Sequence, residues 1–366
     1  MSSISMSEKL KTAVIGLGKI ASLHAKGLKN SEFSDFRAVL SRNMDKARRF
    51  AAEFDVSPYD NFQEMVKKEG IEAAVICTPH PYHAQPVIEL AKLGVHSLVE
   101  KPLASSLSDC DKMIEASEKY HVTIGVVSQR RFYEPVKRMR KAIDDGKIGM
   151  PALGHAIMLG WRDKAYYGSD PWRGKWDTEG GGVLVNQAPH QLDVLQWLMG
   201  GEISEIYGVH ENINHPYIEV EDTALAIIKF KNNVWGNIVL SNSQKPGIYG
   251  KVHVHGKNGA SVGAQIEGGA MFIAGQSDVQ EAPYNDIWTI PGEESMLQNW
   301  KKADEDFFKK IKASEYYIQL QDENFCKAIL HKQKPVITAK EARVTVEIFT
   351  AIYQSNKLKK PISFPL

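Results

Sequence analysis

The sequence predicts an α/β protein with a doubly wound parallel sheet, followed by an α+β domain whose large sheet is mostly antiparallel. Two observations predict this fold class. Short β-branched runs alternate with helical patterns as far as about residue 128, which is typical of parallel sheets. Beyond Arg131, strand patterns joined by turns such as KNNV and GKNG replace them. We therefore expect two domains, at 1–130 and 131–366.

The first domain is predicted from buried strand patterns separated by helical ones. The strands are LKTAVIGLG (10–18), FRAVLS (36–41), IEAAVICTP (71–79), VHSLVEKP (95–102) and VTIGVVSQ (122–129). The helices cover 19–29, 45–54, 84–94 and 108–120. Strands of this kind alternating with helices predict a sheet covered by helices on both faces.

The second domain begins with a helix at 135–145. Its strand candidates are 151–161, 203–212, 222–230, 234–242 and 250–255. Closing helices are predicted at 296–310, 315–331 and 339–356. One face of such an antiparallel sheet packs on the core, and the other is free to meet solvent or a second subunit. We expect a homo-oligomer built through this sheet.

The composition excludes several classes of protein. A formal net charge of +1 gives no electrostatic reason to bind nucleic acid or a membrane surface. No apolar run approaches the ~20 residues of a spanning helix, and the start, MSSISMSEKLK, lacks the features of a signal peptide. Three scattered cysteines do not form a disulfide framework. We expect a cytoplasmic protein with reduced thiols.

The run GLGKIA follows the first strand, where a dinucleotide fingerprint belongs. Gly16 allows the tight turn, Gly18 lets a pyrophosphate approach the backbone, and Ala21 permits close packing of the helix. The helix that starts here presents unpaired N–H groups to phosphates. Gly16, Gly18, Lys19 and Ile20 are therefore predicted to bind a dinucleotide in a Rossmann-type domain.

The end of the second strand bears on the choice between NAD and NADP. NAD enzymes commonly place an acidic residue there to hold the ribose 2′-hydroxyl. Here Ser41 and Arg42 occupy that position, and the first carboxylate is Asp45. Arg42 can pair with a 2′-phosphate, which favours NADP, or it can be an ordinary solvated arginine.

Glu100, Lys101 and Pro102 end the predicted strand at 95–102, at the carboxyl edge where ligands bind in such sheets. Beside a cationic nicotinamide the charged form of Lys101 is disfavoured, so the lysine can accept the proton that leaves a substrate hydroxyl. Glu100 and Lys101 are also candidates to contact the cofactor. The alternative is that Lys101 is a surface charge.

The stretch EGGGVLVNQAPHQLDVLQWLMGG (179–201) combines three glycines with a helical pattern. Asn186 and His190 are four residues apart, so on one helix they share a face and can contact one ligand. The preceding run, 160–176, is rich in aromatic and arginine side chains suited to sugar rings and hydroxyls. Its candidates are Trp161, Arg162, Trp172, Arg173 and Trp176. The alternative for this run is a subunit interface.

The histidine pairs give no reason to expect a metal. His80 and His83 flank two residues, and His253 and His255 alternate on a strand, without cysteines or carboxylates at ligand spacing in the sequence. We therefore predict no metal site.

Four motifs in register resemble the Gfo/Idh/MocA oxidoreductase family over essentially the whole chain. They are GLGKIA (16–21), CTPHPYH (77–83), EKP (100–102) and GGGVLVNQAPHQLD (180–193). The resemblance implies a Rossmann domain, a β-sheet domain that carries the substrate, and hydride transfer between NAD(P) and a sugar or cyclitol hydroxyl. It implies catalytic roles for Lys101 and His190. It also implies that Thr78, Pro79 and His83 lie near the nicotinamide.

The chain departs from the family pattern at Asn186, where many members have an aspartate. An amide cannot act as a base, so proton transfer is expected to depend on Lys101 and His190, with Asn186 orienting hydroxyls. The stretch SQRRFYEP resembles the family's inter-domain segment, which makes Arg131 and Tyr133 candidates to contact the sugar or the cofactor. Asp193 is interpreted as a structural charge facing solvent or an arginine.

The combination WRGKW…GGGVLVNQAPH is similar to the family branch that acts on glucosides and anhydrosugars, often at C3. The leading hypothesis is a dehydrogenase of a ring secondary hydroxyl in a sugar or glycoside. An inositol or cyclitol dehydrogenase and an NAD-dependent glycosidase that oxidises its substrate transiently are alternatives. A non-catalytic nucleotide-binding sensor is a hypothesis of another class.

Overall fold

The computed structural model describes residues 9–268, 272–273 and 277–366. The chain forms two compact units. The first contains residues 9–129 together with 314–343, and the second contains the described residues of 130–313 together with 344–366. Residues 314–343, which the sequence analysis assigned to the second domain, therefore group with the first unit.

The first unit contains a six-stranded, fully parallel sheet in the order β3-β2-β1-β4-β5-β6. The strands are β1 (Leu10–Ile15), β2 (Ser34–Leu40), β3 (Ser57–Tyr59), β4 (Ala73–Ile76), β5 (His96–Val99) and β6 (Ile124–Val126). The helices between them are α1 (Ala21–Asn30), α2 (Met44–Phe54), α3 (Phe62–Glu69), α4 (Ala84–Lys92) and α5 (Leu107–Tyr120). This is the predicted doubly wound sheet.

The second unit contains an eight-stranded sheet in the order β13-β12-β11-β7-β10-β9-β8-β14. All neighbours are antiparallel except β7 and β10. The strands are β7 (Pro151–Leu159), β8 (Ile203–Glu211), β9 (Thr223–Phe230), β10 (Trp235–Ser241), β11 (Tyr249–Gly256), β12 (Ser261–Gly268), β13 (Tyr284–Trp288) and β14 (Ile362–Ser363). The predicted fold class is confirmed for both sheets.

The remaining helices follow the chain from residue 134 to residue 358. They are α6 (Glu134–Asp144), α7 (Lys164–Gly168), α8 (Trp176–Glu179), α9 (Val183–Asn186), α10 (Pro189–Met199), α11 (Met296–Phe308), α12 (Ala313–Leu330) and α13 (Ala339–Leu358). No helix in the described part of the chain is both long and apolar enough to cross a bilayer.

The structure contains β3 and α3, which the sequence analysis did not predict. The strand has three residues and includes Pro58, so it is too short to show a period and lacks one backbone donor. The proline is tolerated because β3 lies at the edge of the sheet.

The expectation of a single helix through Asn186 and His190 is wrong. Helix α9 ends at Asn186, and α10 begins at Pro189, after a turn at Gln187 and Ala188. Proline has no N–H to continue the hydrogen bonds of α9, and its fixed φ favours the first position of a new helix. The spacing of Asn186 and His190 therefore does not place both on one helix face.

Candidate functional site

The carboxyl ends of β1, β4 and β5 carry the first group of candidate residues. Strands β1 and β4 are neighbours in the sheet although a long stretch of chain separates them. The strand order reverses at this point, and ligands bind there in sheets of this type. Gly16 follows β1, Thr78 follows β4, and Glu100 with Lys101 follow β5.

The fingerprint turn has a shape that fits a dinucleotide. Gly16 has φ +82°, and an added Cβ would lie 2.8 Å from the backbone N of Thr78, so only glycine suits this turn. Gly18 is exposed, and a Cβ there would meet only the carbonyl of Cys77 at 3.7 Å. The close approach that Gly18 permits is therefore directed at something outside the protein.

The N-terminus of α1 adds to this fit. Its N-cap residue, Ile20, makes no capping side-chain hydrogen bond, and the first turn contains no acidic residue. The N–H groups and the positive end of the helix dipole thus meet no competing carboxylate. Gly16, Gly18, Lys19 and Ile20 surround this helix start, as the sequence predicts.

The end of β2 is exposed on one side. Arg42 is exposed, while the Ser41 hydroxyl accepts a hydrogen bond from Asn43 N at 3.2 Å. Asn43 in turn caps α2 through a hydrogen bond from Lys46 N. This turn leaves the Arg42 guanidinium in solvent, where it is available to a ligand.

His83 links two loops of the first unit. Its ring is fully buried, with Nε2 2.8 Å from the Thr78 carbonyl and Nδ1 3.0 Å from the Pro102 carbonyl. Burial lowers the pKa of His83, against the opposing effect of these carbonyls. The turn that contains Thr78 and Pro79 is thereby fixed beside the loop after Lys101. The cofactor contact predicted for these three residues remains a prediction.

A buried cluster of His24, Glu100 and Asp322 contacts the backbone of Lys101. His24 Nε2 is 3.0 Å from Glu100 Oε1, and His24 Nδ1 is 2.7 Å from Asp322 Oδ1. The second oxygen of Glu100 accepts a hydrogen bond from Lys101 N at 3.0 Å. The cluster therefore connects α1 and α12 to the backbone of the candidate catalytic lysine.

The charges of this cluster follow from burial and pairing. Burial alone would lower the pKa of His24, but the charges and hydrogen bonds of Asp322 and Glu100 raise it to about 10. Burial would raise the pKa of Glu100, yet His24 holds it below the usual value. Burial raises the pKa of Asp322 to about 6, against the lowering effect of His24. An imidazolium between two acids is the expected state near neutral pH.

Sequence reasoning missed His24 and Asp322. The two residues are 298 positions apart, and no local pattern connects them. The available signal was His24 on the buried face of α1, since a histidine buried in a helix needs polar partners.

The second unit holds the other group of candidates around Asn186. Asn186 Nδ2 donates to Glu179 Oε1 at 2.5 Å and to Tyr166 Oη at 3.1 Å. The other oxygen of Glu179 accepts from Gly174 N at 2.5 Å. His190 is buried in the first turn of α10. Position 186 thus carries no carboxylate of its own, but the Glu179 carboxylate is hydrogen-bonded to Asn186.

Tyr166 is the centre of this polar cluster. Its hydroxyl oxygen lies 2.6 Å from Arg173 Nη1 and 2.8 Å from Gln187 Nε2, in addition to Asn186. The guanidinium carbons of Arg173 and Arg162 lie 4.3 and 5.0 Å from its ring centroid. Burial raises the pKa of Tyr166, although the two arginines oppose this. The sequence analysis did not single out Tyr166 or Glu179.

Arg131 and Tyr133 are both held by buried partners. Arg131 forms a two-pronged ion pair with Asp193, at 2.7 and 2.8 Å, and its guanidinium lies over the ring of Trp197. Tyr133 is hydrogen-bonded to Arg130, which also pairs with Glu267. The interpretation of Asp193 as a structural partner of an arginine agrees with this geometry. The sugar contacts of Arg131 and Tyr133 remain predictions.

The three tryptophans predicted for the substrate differ in their surroundings. Trp161 lies against His215, with ring centroids 5.2 Å apart, and Trp172 stacks on the Arg173 guanidinium at 4.4 Å. Trp176 is 40% exposed, and its indole N–H donates to Glu219 O at 3.0 Å. Trp172 and Arg173 adjoin the Tyr166 cluster, while Trp176 packs against Tyr353.

The glycine triplet is required by packing within the second unit. An added Cβ on Gly182 would lie 1.9 Å from Glu221 O, and one on Gly181 would lie 2.1 Å from Tyr353 Oη. The carboxylate of Glu221 accepts from Gly182 N and Leu184 N, both at 3.0 Å. Burial raises the pKa of Glu221 to about 7, against these hydrogen bonds. These contacts fix the entry into α9 and therefore the position of Asn186.

Among the described residues, no group of three or more His, Cys, Asp or Glu side chains could hold a metal ion. The sequence suggested no carboxylate beside the second histidine pair, but His253 Nε2 lies 3.0 Å from Asp286. Lys251 also pairs with Asp286, at 2.9 Å. A carboxylate already neutralised by two side chains, one of them a lysine, makes a poor metal ligand.

Comparison with known proteins gives a family and several relatives. Residues 10–128 match the family model described as "Oxidoreductase family, NAD-binding Rossmann fold", and residues 136–262 match the GFO/IDH/MocA C-terminal domain. The chain is 27% identical over 315 residues to a myo-inositol 2-dehydrogenase of Thermotoga maritima, which covers 84% of this chain and 89% of the relative.

Two further relatives extend the comparison. The chain is 29% identical over 224 residues to a 2,7-anhydro-N-acetylneuraminate hydratase of Mediterraneibacter gnavus, covering 60% of this chain and 58% of the relative. The fold of this chain is similar to that of the WlbA dehydrogenase of Bordetella pertussis, which was solved with NADH and UDP-GlcNAcA. The TM-score is 0.84 at 22% identity, and the match covers 99% of both chains. The matched domains cover most of the chain, in the order that the four motifs predict. The chain therefore belongs to the Gfo/Idh/MocA family of NAD-binding oxidoreductases.

Proposed function

We propose that this protein oxidises or reduces a ring secondary hydroxyl of a sugar or glycoside with a nicotinamide dinucleotide. The observation that carries the proposal is the position of Lys101, which follows β5 at the same sheet edge as the open Gly16–Gly18 turn. The myo-inositol 2-dehydrogenase among the relatives supports a polyhydroxylated ring as the substrate.

The chain's own groups have the following roles in this proposal. A bound nicotinamide supplies the hydride acceptor or donor. Lys101 takes up the hydroxyl proton during oxidation and returns it during reduction. The cluster of His24, Glu100 and Asp322 holds the lysine's backbone through Lys101 N. Asn186 and His190 orient the ring hydroxyls, which is a positioning contribution to the rate.

The test is a panel of sugars, glycosides and inositols incubated with the purified protein and NAD⁺ or NADP⁺. We expect reduced nicotinamide to form with at least one member of the panel, measured by its absorbance. The product's oxidised carbon is then located by borohydride reduction with deuterium label and mass spectrometry. Absence of cofactor reduction, and of cofactor oxidation with the matching ketones, contradicts the proposal.

The finer assignment is C3 of a glucoside or an anhydrosugar. Its support is the similarity of WRGKW…GGGVLVNQAPH to that branch of the family. The alternative is a cyclitol, which the name of the Thermotoga relative favours. Deuterium at C3 of a glucoside product supports the first assignment, and turnover of inositols alone supports the second.

A second candidate function is a redox-neutral reaction in which the substrate is oxidised only transiently. A relative named as a hydratase favours it, because hydration causes no net change in oxidation state. An NAD-dependent glycosidase is another reaction of this kind. Release of a free aglycone or hydrated sugar without net formation of reduced nicotinamide distinguishes these reactions from the dehydrogenase.

The preference for NADP over NAD is proposed on the exposed Arg42 and the neighbouring Ser41. The guanidinium lies in solvent at the end of β2, where a ribose 2′-phosphate meets this fold. Burial of all three free cysteines, Cys77, Cys110 and Cys326, supports the proposal of a cytoplasmic protein with reduced thiols.

Self-association through the second unit's sheet is proposed on the exposed apolar residues of its outer face. Tyr207 pairs with Ile227, and Val209 with Leu225, in the register of β8 and β9. All four are exposed, as is Trp235 on β10. A second copy of the chain is the proposed occupant of this apolar patch. Light scattering of the wild type and of Ile227→Lys tests it, since one lysine in the patch should lower the oligomer mass.

A further inference from the structure

Arg162 is a buried cation without a carboxylate partner in the described part of the chain. It is 5% exposed, and its guanidinium donates to the Trp161 carbonyl at 3.2 Å and the Phe272 carbonyl at 3.4 Å. Its Nε makes no hydrogen bond. The chain on either side of Phe272 cannot supply the missing acid, since residues 269–276 contain no Asp or Glu.

Other arginines that are buried or half-buried in the described part of this unit are paired with carboxylates. Arg130 contacts Glu267, Arg131 contacts Asp193 at 2.7 Å, and Arg138 contacts Asp304. Arg173, which shares the Tyr166 ring with Arg162, contacts Asp170 at 3.2 Å. Removing a guanidinium from water costs free energy that a paired carboxylate offsets and two long carbonyl contacts do not. Arg162 is therefore the exception in this unit.

Arg162 also lies beside the residue expected to contact the substrate. Its guanidinium carbon is 5.0 Å from the Tyr166 ring centroid, and the Tyr166 hydroxyl is 3.1 Å from Asn186 Nδ2. The Glu179 carboxylate accepts hydrogen bonds from Asn186 Nδ2 and Gly174 N. A ligand that reaches Asn186 is thus one side chain away from an uncompensated positive charge.

We propose that Arg162 recognises a carboxylate on the substrate, so that the sugar oxidised by this protein is an acidic one, such as a uronic acid or its glycoside. This inference rests on the proposed function for the hydroxyl chemistry, and it adds the substrate class. A carboxylate accepts hydrogen bonds from the planar guanidinium with matched geometry and offsets its buried charge. A neutral sugar leaves that charge uncompensated.

The experiment compares sugars that differ only in this group. Methyl glucuronide and methyl glucoside form one pair, and methyl galacturonide and methyl galactoside form the other. Initial rates with the preferred dinucleotide give kcat/KM for each sugar. We expect the acidic member of at least one pair to be preferred by about tenfold to a hundredfold, the range for a charged hydrogen bond. Equal rates within both pairs overturn the inference while leaving the proposed function intact.

Two variants separate recognition from folding. Arg162→Met should abolish the preference, so that kcat/KM for the acidic sugar falls to that of its neutral counterpart. Arg138→Met removes a half-buried arginine of the same unit, paired with Asp304, and should keep the preference. The melting temperatures add a test that needs no substrate. Arg138→Met should melt several degrees lower because it leaves Asp304 unpaired, whereas Arg162→Met should not, because no carboxylate loses a partner.

The remaining outcomes are also decisive. If no sugar changes the redox state of the dinucleotide, the proposed function fails, and binding then decides the role of Arg162. A rise in melting temperature of the wild type, but not of Arg162→Met, with methyl glucuronide or methyl galacturonide supports a carboxylate site. If no rise occurs, or if Arg162→Met melts as low as Arg138→Met, Arg162 is a structural cation and the inference is overturned.

Discussion

Two buried cations, His24 in the first unit and Arg162 in the second, have different surroundings. In the first, His24 lies between Glu100 and Asp322, so that the cation is matched within the chain. In the second, Arg162 is also buried, but it contacts two carbonyl oxygens and the Tyr166 side chain and forms no ion pair within the described residues. A matched cluster is complete before any ligand binds, and it serves to hold a neighbouring group in place. An unmatched cation is stabilised only when a ligand brings the opposite charge.

We infer from this difference that the two buried cations have different roles. The matched cluster fixes the backbone of Lys101, which we propose takes up the proton of the substrate hydroxyl. We propose that the unmatched cation beside Tyr166 instead distinguishes an acidic substrate from a neutral one. In these proposals Lys101 belongs to the unit with the parallel sheet and Arg162 to the unit with the antiparallel sheet.

The largest effect is expected for Lys101→Met, which removes the group that the matched cluster positions. Loss of a general base lowers rates by about 10²- to 10⁴-fold. Dinucleotide affinity should change little, because the fingerprint turn at Gly16 and Gly18 is untouched. Steady-state rates and calorimetric binding of the dinucleotide check this. Equal losses of turnover and dinucleotide binding would make Lys101 a structural residue.

His24→Gln tests whether the matched cluster contains a buried cation. Burial opposes the charge, but Asp322 and Glu100 raise the pKa of His24 to about 10, well above 6.5 in the unfolded chain. Its stabilisation is therefore fully present below pH 6.5 and is lost as the pH rises from 6.5 towards 10. At pH 6.5 the variant should lose about 3–5 kcal/mol of unfolding free energy, as when a buried pair is broken.

The control for His24→Gln is Asp111→Asn, which breaks the more exposed pair with Arg343 in the same unit. In urea unfolding from pH 6.5 to 10, the wild type and Asp111→Asn should lose free energy of unfolding in parallel. The difference in free energy of unfolding between the wild type and His24→Gln should become smaller over the same pH range. A deficit that stays constant with pH would show that His24 is neutral in the folded protein.

Asn186→Asp introduces the residue that many family members carry, yet we expect it to lower the free energy of unfolding of this protein. The new carboxyl would replace an amide that donates to Glu179 Oε1 at 2.5 Å, which puts two acids in contact. Like charges disfavour ionisation, so the new group's pKa is raised in the folded state and its stability contribution falls as the pH rises. The free energy of unfolding of the variant should be about 1–3 kcal/mol lower than that of the wild type at pH 8. The difference should be smaller at pH 5.

Asn186→Ala is the matched control because it removes the amide without adding charge. Its deficit in thermal unfolding should be the same at pH 5 and pH 8. Equal behaviour of the two variants would mean that Glu179 does not interact with position 186 through its charge.

The parts that sequence reasoning predicted are those that local patterns determine. The parallel sheet, the Gly16 turn and Lys101 at a strand end follow from periodicity and from the rule for strand ends. The break before His190 was also local, since Pro189 marks it, and it was missed because the spacing alone was considered. The pairing of His24 with Asp322 and the isolation of Arg162 depend on segments far apart in the sequence. Whether a buried charge has a partner is a property of the fold, which no local pattern contains.

The smallest effect is expected for Arg42→Ala, which tests a cation that neither unit buries. Arg42 is exposed at the end of β2, so water screens its charge and its free energy of interaction with a phosphate is modest, about 1 kcal/mol. The variant should bind NADP about fivefold more weakly and NAD almost unchanged, measured by titration of each dinucleotide. Arg48→Ala, which removes an exposed arginine on α2, is the matched control and should change neither affinity. If Arg42→Ala weakens both dinucleotides equally, the guanidinium contacts a group that the two share, and the exposed end of β2 does not select between them.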